Sequence, residues 1–268
     1  GSEMCIRDRV KTADVLIENY KVGDLARFGL DYESLKAINP RLIYCSVTGF
    51  GQTGPMAARP GYDGLFQATG GMMAVTGIPE GQPGAGPLKT GPSLVDFVTG
   101  HNTALAILGA LQYRHRTGEG QFIDIALLDS SVAMVSHIMQ DYLISGQAPP
   151  RLGNGGNGGG PADLMHCADG IVYLTAGTDE HYRRLTVLME RPELFTDPRF
   201  DSNLKRGKTN RAELMDLINA WSSGFTVARM QAMLDGVGIP AARYNELAQV
   251  WEDEQVKHRN LRATTPHA

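Results

Sequence analysis

Apolar positions along the chain recur with two alternating periods. Residues 13–18, 41–47 and 121–127 are short runs rich in branched aliphatic and aromatic side chains, the pattern of strands. Residues 32–38, 61–70 and 128–144 read as helices, the first behind an Asp31 cap. A longer helix starts at the Pro92-Ser93 signal and runs to about Arg116, where Thr117-Gly118-Glu119-Gly120 ends it. Leu94, Val95, Phe97, Val98, Leu105, Ile107, Leu108 and Leu111 leave it almost no polar face, so it is expected to be central and buried. Residues 72–87 are rich in Gly and Pro and read as a loop. Strands alternating with helices predict a parallel sheet.

Composition breaks between residues 145 and 161, which include Gly153-Asn154-Gly155-Gly156-Asn157-Gly158-Gly159-Gly160-Pro161. So much glycine costs entropy on ordering, and the segment is either a linker or a mobile loop presenting its N–H groups. Beyond it, residues 164–167 and 171–176 form a strand pair turning at Asp169-Gly170, followed by helices near 179–189, 210–221 and 226–234 and a last one near 245–251. The predicted organisation is a non-native tail over 1–9, part of a large α/β domain over 10–145, a glycine-rich linker or lid over 146–162, a smaller α/β domain over 163–242, and a segment over 243–268 returning to the large domain. Neither end carries a closing element, and the chain reads as a fragment.

With 268 residues, 42% of them hydrophobic and 20% charged, the chain can bury a sizeable core. Its net charge of −4 and lack of a basic cluster argue against a nucleic-acid partner. The three cysteines, Cys5, Cys45 and Cys167, lie far apart and form no CxxC pair, a usage expected in a reducing compartment and without a metal site. The most apolar stretch, 104–111, is too short to span a bilayer and there is no secretory signal, so the expectation is cytoplasmic, with no membrane.

Asp96 is the residue on which the chemistry turns. In the first helical turn it would meet unpaired N–H groups and the positive end of the helix dipole, which favour an ionised carboxylate. Such a group is either a cap, since Ser93 and Asp96 also fit a capping box, or a nucleophile. Other schemes fare worse. Gly49-Phe50-Gly51-Gln52-Thr53-Gly54 matches G-x-G-x-x-G, but Pro55, Pro60 and Gly61 interrupt any following helix, so it reads as a tight turn rather than a nicotinamide site. There is no G-x-S-x-G elbow or zinc-helix histidine pair. His101, five residues beyond Asp96, is expected to turn well away from the carboxylate.

Several motifs recur in a familiar order: Glu18-Asn19-Tyr20, Asn39-Pro40-Arg41-Leu42-Ile43-Tyr44, the run from Ser46 to Pro55, Gly61-Tyr62-Asp63, Arg116-Thr117-Gly118-Glu119-Gly120-Gln121 and Ala168-Asp169-Gly170. In this order they resemble the class III CoA-transferases, which include formyl-CoA and carnitine CoA-transferases, over essentially residues 13–261. The resemblance implies a large Rossmann-like domain with a parallel sheet, a smaller α/β domain, and a homodimer of interlocked rings, which a chain cut at both ends would leave incomplete. It implies an acyl-CoA:carboxylate CoA-transferase in which Asp96 forms aspartyl anhydride and aspartyl-CoA intermediates. Coenzyme A is then a substrate, and neither a metal nor a nicotinamide is required.

The same resemblance puts Asn19, Tyr20 and Arg27 along bound CoA and makes Gly155, Gly156, Gly158, Gly159 and Gly160 a lid. Tyr62 and Asp63 become supporting residues, with Asp63 either orienting the site or capping the short helix after Gly61. Racemases of the family carry a histidine where this chain has Tyr62, and tyrosine is a poor acid/base at neutral pH, so transfer is favoured over racemisation of 2-methylacyl-CoA. A non-catalytic CoA-binding fragment is the other alternative. Family members also carry a βα segment before the first strand and a closing segment after the last helix. Neither has a counterpart here, and weak CoA binding is the expectation.

Overall fold

The computed structural model describes residues 2–156 and 159–266, and the chain divides between Gly153 and Asn154 into two compact units. In the first, helix α1 (Ser2–Val10) occupies the stretch expected to be a tail without periodicity. Its last residue is buried with Leu30, Leu35, Leu42 and Tyr44, and the Asn39 amide donates to the carbonyls of Val10 and Ala13 at 2.9 and 3.0 Å. These contacts lead into β1 (Val15–Glu18), helix α2 (Tyr32–Lys36) and β2 (Ile43–Thr48). Asp31 caps α2 by accepting from the Ser34 N–H. Next come α3 (Asp63–Thr69), α4 (Met72–Val75) and a short antiparallel pair, β3 (Gly77–Ile78) with β4 (Gly86–Pro87), so the segment expected to be loop contains a helical turn and a hairpin. Helix α5 (Leu94–Thr117) leads to β5 (Phe122–Ala126), then α6 (Leu127–Met134) and α7 (Ser136–Ser145), which divide at Val135 what the sequence reads as one helix.

The sheet is parallel, in the order β1-β2-β5. As the central strand, β2 is covered on both faces, and Ile43, Tyr44 and Cys45 are almost inaccessible, as a continuous apolar run requires. Burial pushes the Cys45 thiol up to about 11, so it packs as a small neutral side chain.

Helix α5 departs from expectation. It packs against β2, β5, α3 and α6, but the side it buries is Val95, Thr99, Thr103, Ala110 and Arg114. Phe97, Leu105 and Leu108 are exposed by more than half, so a helix apolar all round is covered on one side only. Its 24 residues are long and apolar enough to cross a membrane by length and composition, beyond what residues 104–111 alone suggest. Its ties are to the sheet: buried Arg114 donates to the carbonyls of Asp14 (3.2 Å) and Arg41 (3.1 Å) and pairs with the Asp14 carboxylate at 2.8 Å. One side chain thereby joins the end of α5 to the entries of β1 and β2.

The second unit contains an antiparallel sheet. Strands β6 (Ala162–Cys167) and β7 (Gly170–Thr175) form a hairpin, and β8 (Ala241–Arg243) pairs on the far side of β7. Asp169 in the hairpin turn accepts from the Val227 N–H at 2.6 Å, so the Ala168-Asp169-Gly170 motif holds the start of a helix. Helices α8 (Asp179–Leu188), α9 (Arg211–Ser222) and α10 (Val227–Gly236) pack on the sheet around Met165, Leu174, Tyr182, Leu185, Leu214 and Ile218. Thr178 and Thr226 cap α8 and α10. Two short helices, α11 (Leu247–Val250) and α12 (Glu254–His258), follow β8 and cluster with this unit.

Arg114→Ala would leave the Arg41 carbonyl without its donor and the Asp14 carbonyl with the Ile43 N–H alone, and is expected to lower the unfolding free energy by about 1–3 kcal/mol. Asp14→Asn should cost less than about 1 kcal/mol, because the Asp14 side chain is largely exposed. Urea unfolding of the two variants checks both the loss and its asymmetry.

Candidate active site

The head of α5 is capped from another helix. Ser93 makes no side-chain cap, and the expected Ser93–Asp96 box does not form. Instead Asp63, the first residue of α3, accepts from the N–H groups of Val95 (2.8 Å) and Asp96 (3.2 Å) through Oδ1. Its Oδ2 accepts from the Gln67 amide at 2.5 Å, and Gln67 Oε1 accepts from the Thr90 N–H at 2.9 Å. Asp63 and Gln67 are both buried. Asp63 thus binds the first N–H groups of the helix that carries Asp96.

The Asp96 side chain is left uncommitted: among the described residues no hydrogen bond or ion pair ends on its carboxylate. Partial burial, and then the nearby Asp63 charge, raise its pKa above the ordinary carboxylate value. The expected help from free N–H groups is missing because Asp63 already occupies them. A carboxylate that is more basic than usual and unpaired is the better nucleophile once ionised.

Asp96 opens on a cavity of about 500 Å³ lined also by Ile17, Asn19, Val47, Gly49, Gly61, Tyr62 and Thr99. Asn19 follows β1, Gly49 follows β2 and Leu127 follows β5, so the cavity lies at the carboxyl ends of the parallel strands, where open α/β sheets bind ligands. The Asn19 amide is held by donating to the Val47 carbonyl. Tyr62 is 82% exposed.

In the G-x-G-x-x-G run Gly49 has a packing reason, shared by Gly61 beyond it, whereas Gly51 and Gly54 stand at positive φ. A Cβ on Gly49 would stand 2.6 Å from the Phe66 ring, and one on Gly61 would stand 2.2 Å from it. Phe66 is fully buried and meets Phe50 edge-on at 5.0 Å. Gly51, at φ 86°, turns the chain so that the Gln52 N–H reaches Asp124 at 3.0 Å.

Tyr20 and Arg27 line a neighbouring cavity of about 570 Å³ that shares Ile17 with the first. Arg27 is exposed and its nearest carboxylate, Asp24, is 3.9 Å away, which leaves the guanidinium fork available. Asn19, Tyr62 and Asp96 thus line one cavity, Asp63 reaches Asp96 through its backbone N–H, and Tyr20 and Arg27 line the neighbouring cavity. His101 is nearer than expected: it and Asp96 both line an open groove of about 640 Å³ along the exposed side of α5, although its Nδ1 is engaged with the Phe97 carbonyl at 2.7 Å.

The glycines expected to form a lid lie in the second unit, except Gly158, which lies outside the described residues. A Cβ on Gly159 would strike the Asn203 amide at 2.1 Å, and one on Gly160 would meet the Gly207 backbone at 2.5 Å. The Gly160 N–H donates to Asn203 at 2.8 Å, and its carbonyl accepts from buried Arg206 at 3.0 Å. Gly155 lies against Arg211, and Gly156 and Gly159 line a separate cavity. In Gly159 and Gly160 close packing, rather than looseness, calls for glycine.

Two residues escape the sequence reading. Gln67 reads as an ordinary helical position, and its role needs Asp63 and Thr90 on either side of it. Thr99 is buried on the wall of the Asp96 cavity with a hydroxyl that has no partner. Its spacing of three from Asp96 is the signal that was available. Among the described residues no three His, Cys, Asp or Glu side chains are grouped to hold a metal.

The model of CoA-transferase family III matches residues 3–268. Succinate–glutarate CoA-transferase of Agrobacterium fabrum is 40% identical over 257 residues, covering 96% of this chain and 63% of that protein. Succinyl-CoA–D-citramalate CoA-transferase of Chloroflexus aurantiacus is 36% identical over 249 residues, covering 92% and 61%. The crystal structure of a CaiB/BaiF family protein from Brucella suis superposes with a TM-score of 0.83 at 42% identity, covering 96% of this chain and 67% of that one. The chain therefore spans less than two thirds of the length of these two curated relatives.

Asp63→Asn keeps an acceptor for the α5 N–H groups and removes the charge. Asp96 is then expected to titrate at lower pH, still above the ordinary value of 3.8 because burial is the larger cause. The sign follows for stability. A raised pKa means that ionised Asp96 costs stability, a cost that appears as pH rises through the folded pKa and is smaller in the variant. Carbon-13 NMR of the carboxylates and unfolding measured across acid pH check the two statements.

Proposed function

The chain belongs to CoA-transferase family III, and from that premise we propose that it transfers coenzyme A between an acyl-CoA and a carboxylic acid, with Asp96 as the covalent nucleophile. The observation that carries this reading is an unpaired, partly desolvated carboxylate at the head of α5, opening on a cavity at the carboxyl ends of the parallel strands.

Asp96 attacks the thioester carbonyl of the donor, the C–S bond breaks, and CoA leaves as thiolate, with a mixed anhydride on Asp96. The thiolate attacks the aspartyl carbonyl, the donor acid departs as carboxylate, and an aspartyl-CoA thioester remains. An acceptor carboxylate attacks that thioester and expels the thiolate again. Thiolate attack on the acceptor's acyl carbon then yields the new acyl-CoA and restores Asp96. One thioester replaces another, so no energy source is consumed, and the requirement is to keep the acyl intermediates from water.

Asp63 is the positioning residue, acting through the backbone of Val95 and Asp96. Tyr62 meets the acyl end, while Asn19, Tyr20 and Arg27 serve the CoA moiety, Arg27 toward a phosphate. Tyr62, a poor acid or base near neutral pH, favours transfer over proton exchange at the α-carbon. Short dicarboxylates are the substrate class we take, since the relatives named above act on succinate, glutarate and citramalate. The exposed Phe97, Leu105 and Leu108 support a homodimer in which α5 is covered.

Incubation of the full-length protein with succinyl-CoA and hydroxylamine should convert Asp96 to a hydroxamate detectable by peptide mass spectrometry. Asp96→Asn should abolish both the label and CoA transfer to glutarate, a loss of about 10³-fold or more. Transfer unchanged in that variant would remove Asp96 from the mechanism. For the dimer, paired Leu105→Glu and Leu108→Glu substitutions should halve the mass measured by light scattering; an unaltered mass would exclude that face from the interface.

A further inference from the structure

Two threonines on α5 contrast. Thr103 satisfies its hydroxyl by donating to the Thr99 carbonyl at 2.8 Å, the bond back to the preceding turn that helical threonines commonly make. The Thr99 hydroxyl makes no such bond: its Oγ1 is buried and has no partner. Thr99 itself is 2% exposed and lines the Asp96 cavity, one turn along from Asp96 on the same side of the helix. A stranded buried hydroxyl is a cost that a valine of the same shape would remove. Beside an unpaired carboxylate, a partner arriving with the substrate would satisfy it.

We propose that the Thr99 hydroxyl is the hydrogen-bond donor for the acyl oxygen of the adduct formed on Asp96. This rests on the reading of Asp96 as nucleophile. The bond is absent in the free protein and forms as negative charge gathers on the carbonyl oxygen under attack, so it acts on the reaction rather than on substrate affinity. The hydroxyl keeps its proton throughout and donates a hydrogen bond only.

Thr99→Val and Thr99→Ser in the full-length protein test it. The valine variant should lower kcat for CoA transfer from succinyl-CoA to glutarate by about 10- to 100-fold, leave KM for succinyl-CoA within about twofold, and slow hydroxylamine trapping at Asp96 in proportion. The serine variant should recover most of the rate. Thr99→Val should also raise Tm, because an unsatisfied hydroxyl has been replaced by a methyl group. A merely structural hydroxyl predicts the reverse, a lower Tm with trapping unchanged. Trapping in the valine variant equal to wild type, or a lowered Tm, overturns the proposal while leaving Asp96 in place. Absence of the Asp96 hydroxamate in the wild type overturns the nucleophile reading itself and this proposal with it.

Discussion

The site depends on one buried carboxylate. Asp63 takes the two backbone N–H groups that open α5, and Gln67 and Thr90 fix Asp63 from behind. A helix start needs acceptors for its free N–H groups, and the common solution is a side chain within the same helix. Here the acceptor comes from α3, which locks the two helices together and leaves Asp96 without a structural task. The capping that a carboxylate at this position would ordinarily perform is thereby separated from the chemistry it is proposed to perform. The same arrangement leaves a second negative charge close by, and that charge joins partial burial in raising the Asp96 pKa.

Around this point the packing is tight where the backbone must come close. Phe66 fills the space between the turn after β2 and the entry to α3, and only glycine at positions 49 and 61 lets both strands of chain pass its ring. In the pattern that looks like a dinucleotide fingerprint, Gly49 answers to this aromatic wedge, while Gly51 and Gly54 answer to their positive φ. Gly159 and Gly160, against Asn203 and the Gly207 backbone, repeat the lesson in the second unit. Glycine marks close approach as often as freedom of movement, and composition does not distinguish the two.

Helix α5 carries both the site and an unresolved demand. Its inner side holds Val95, Thr99, Thr103, Ala110 and Arg114, and its outer side presents Phe97, Leu105 and Leu108 to solvent. Apolar groups of that size gain stability when covered, and the homodimer proposed above would cover them. Inside, the polar residues are matched to backbone: Arg114 to strand-entry carbonyls and Thr103 to the preceding turn, while Thr99 alone among them keeps an orphan hydroxyl.

The sequence by itself determined the elements whose signals are local. The three parallel strands, α2 behind Asp31, α5 ending at Gly118, and the β6–β7 hairpin follow from residue periodicity, caps and turn residues, each decided within a few positions. The ordered motifs also carried the family, and Asp96 stood out as a carboxylate at a helix start. Only the tertiary structure decided that Asp63, 33 residues earlier, caps that helix, that Phe66 dictates Gly49 and Gly61, and that Asn19 and Tyr62 share the Asp96 cavity. It also decided that one side of α5 is bare and that Thr99 is stranded. These are matters of which distant groups meet and which are left unmatched, and hydrogen-bond satisfaction and steric fit between remote segments leave no periodic mark along the chain.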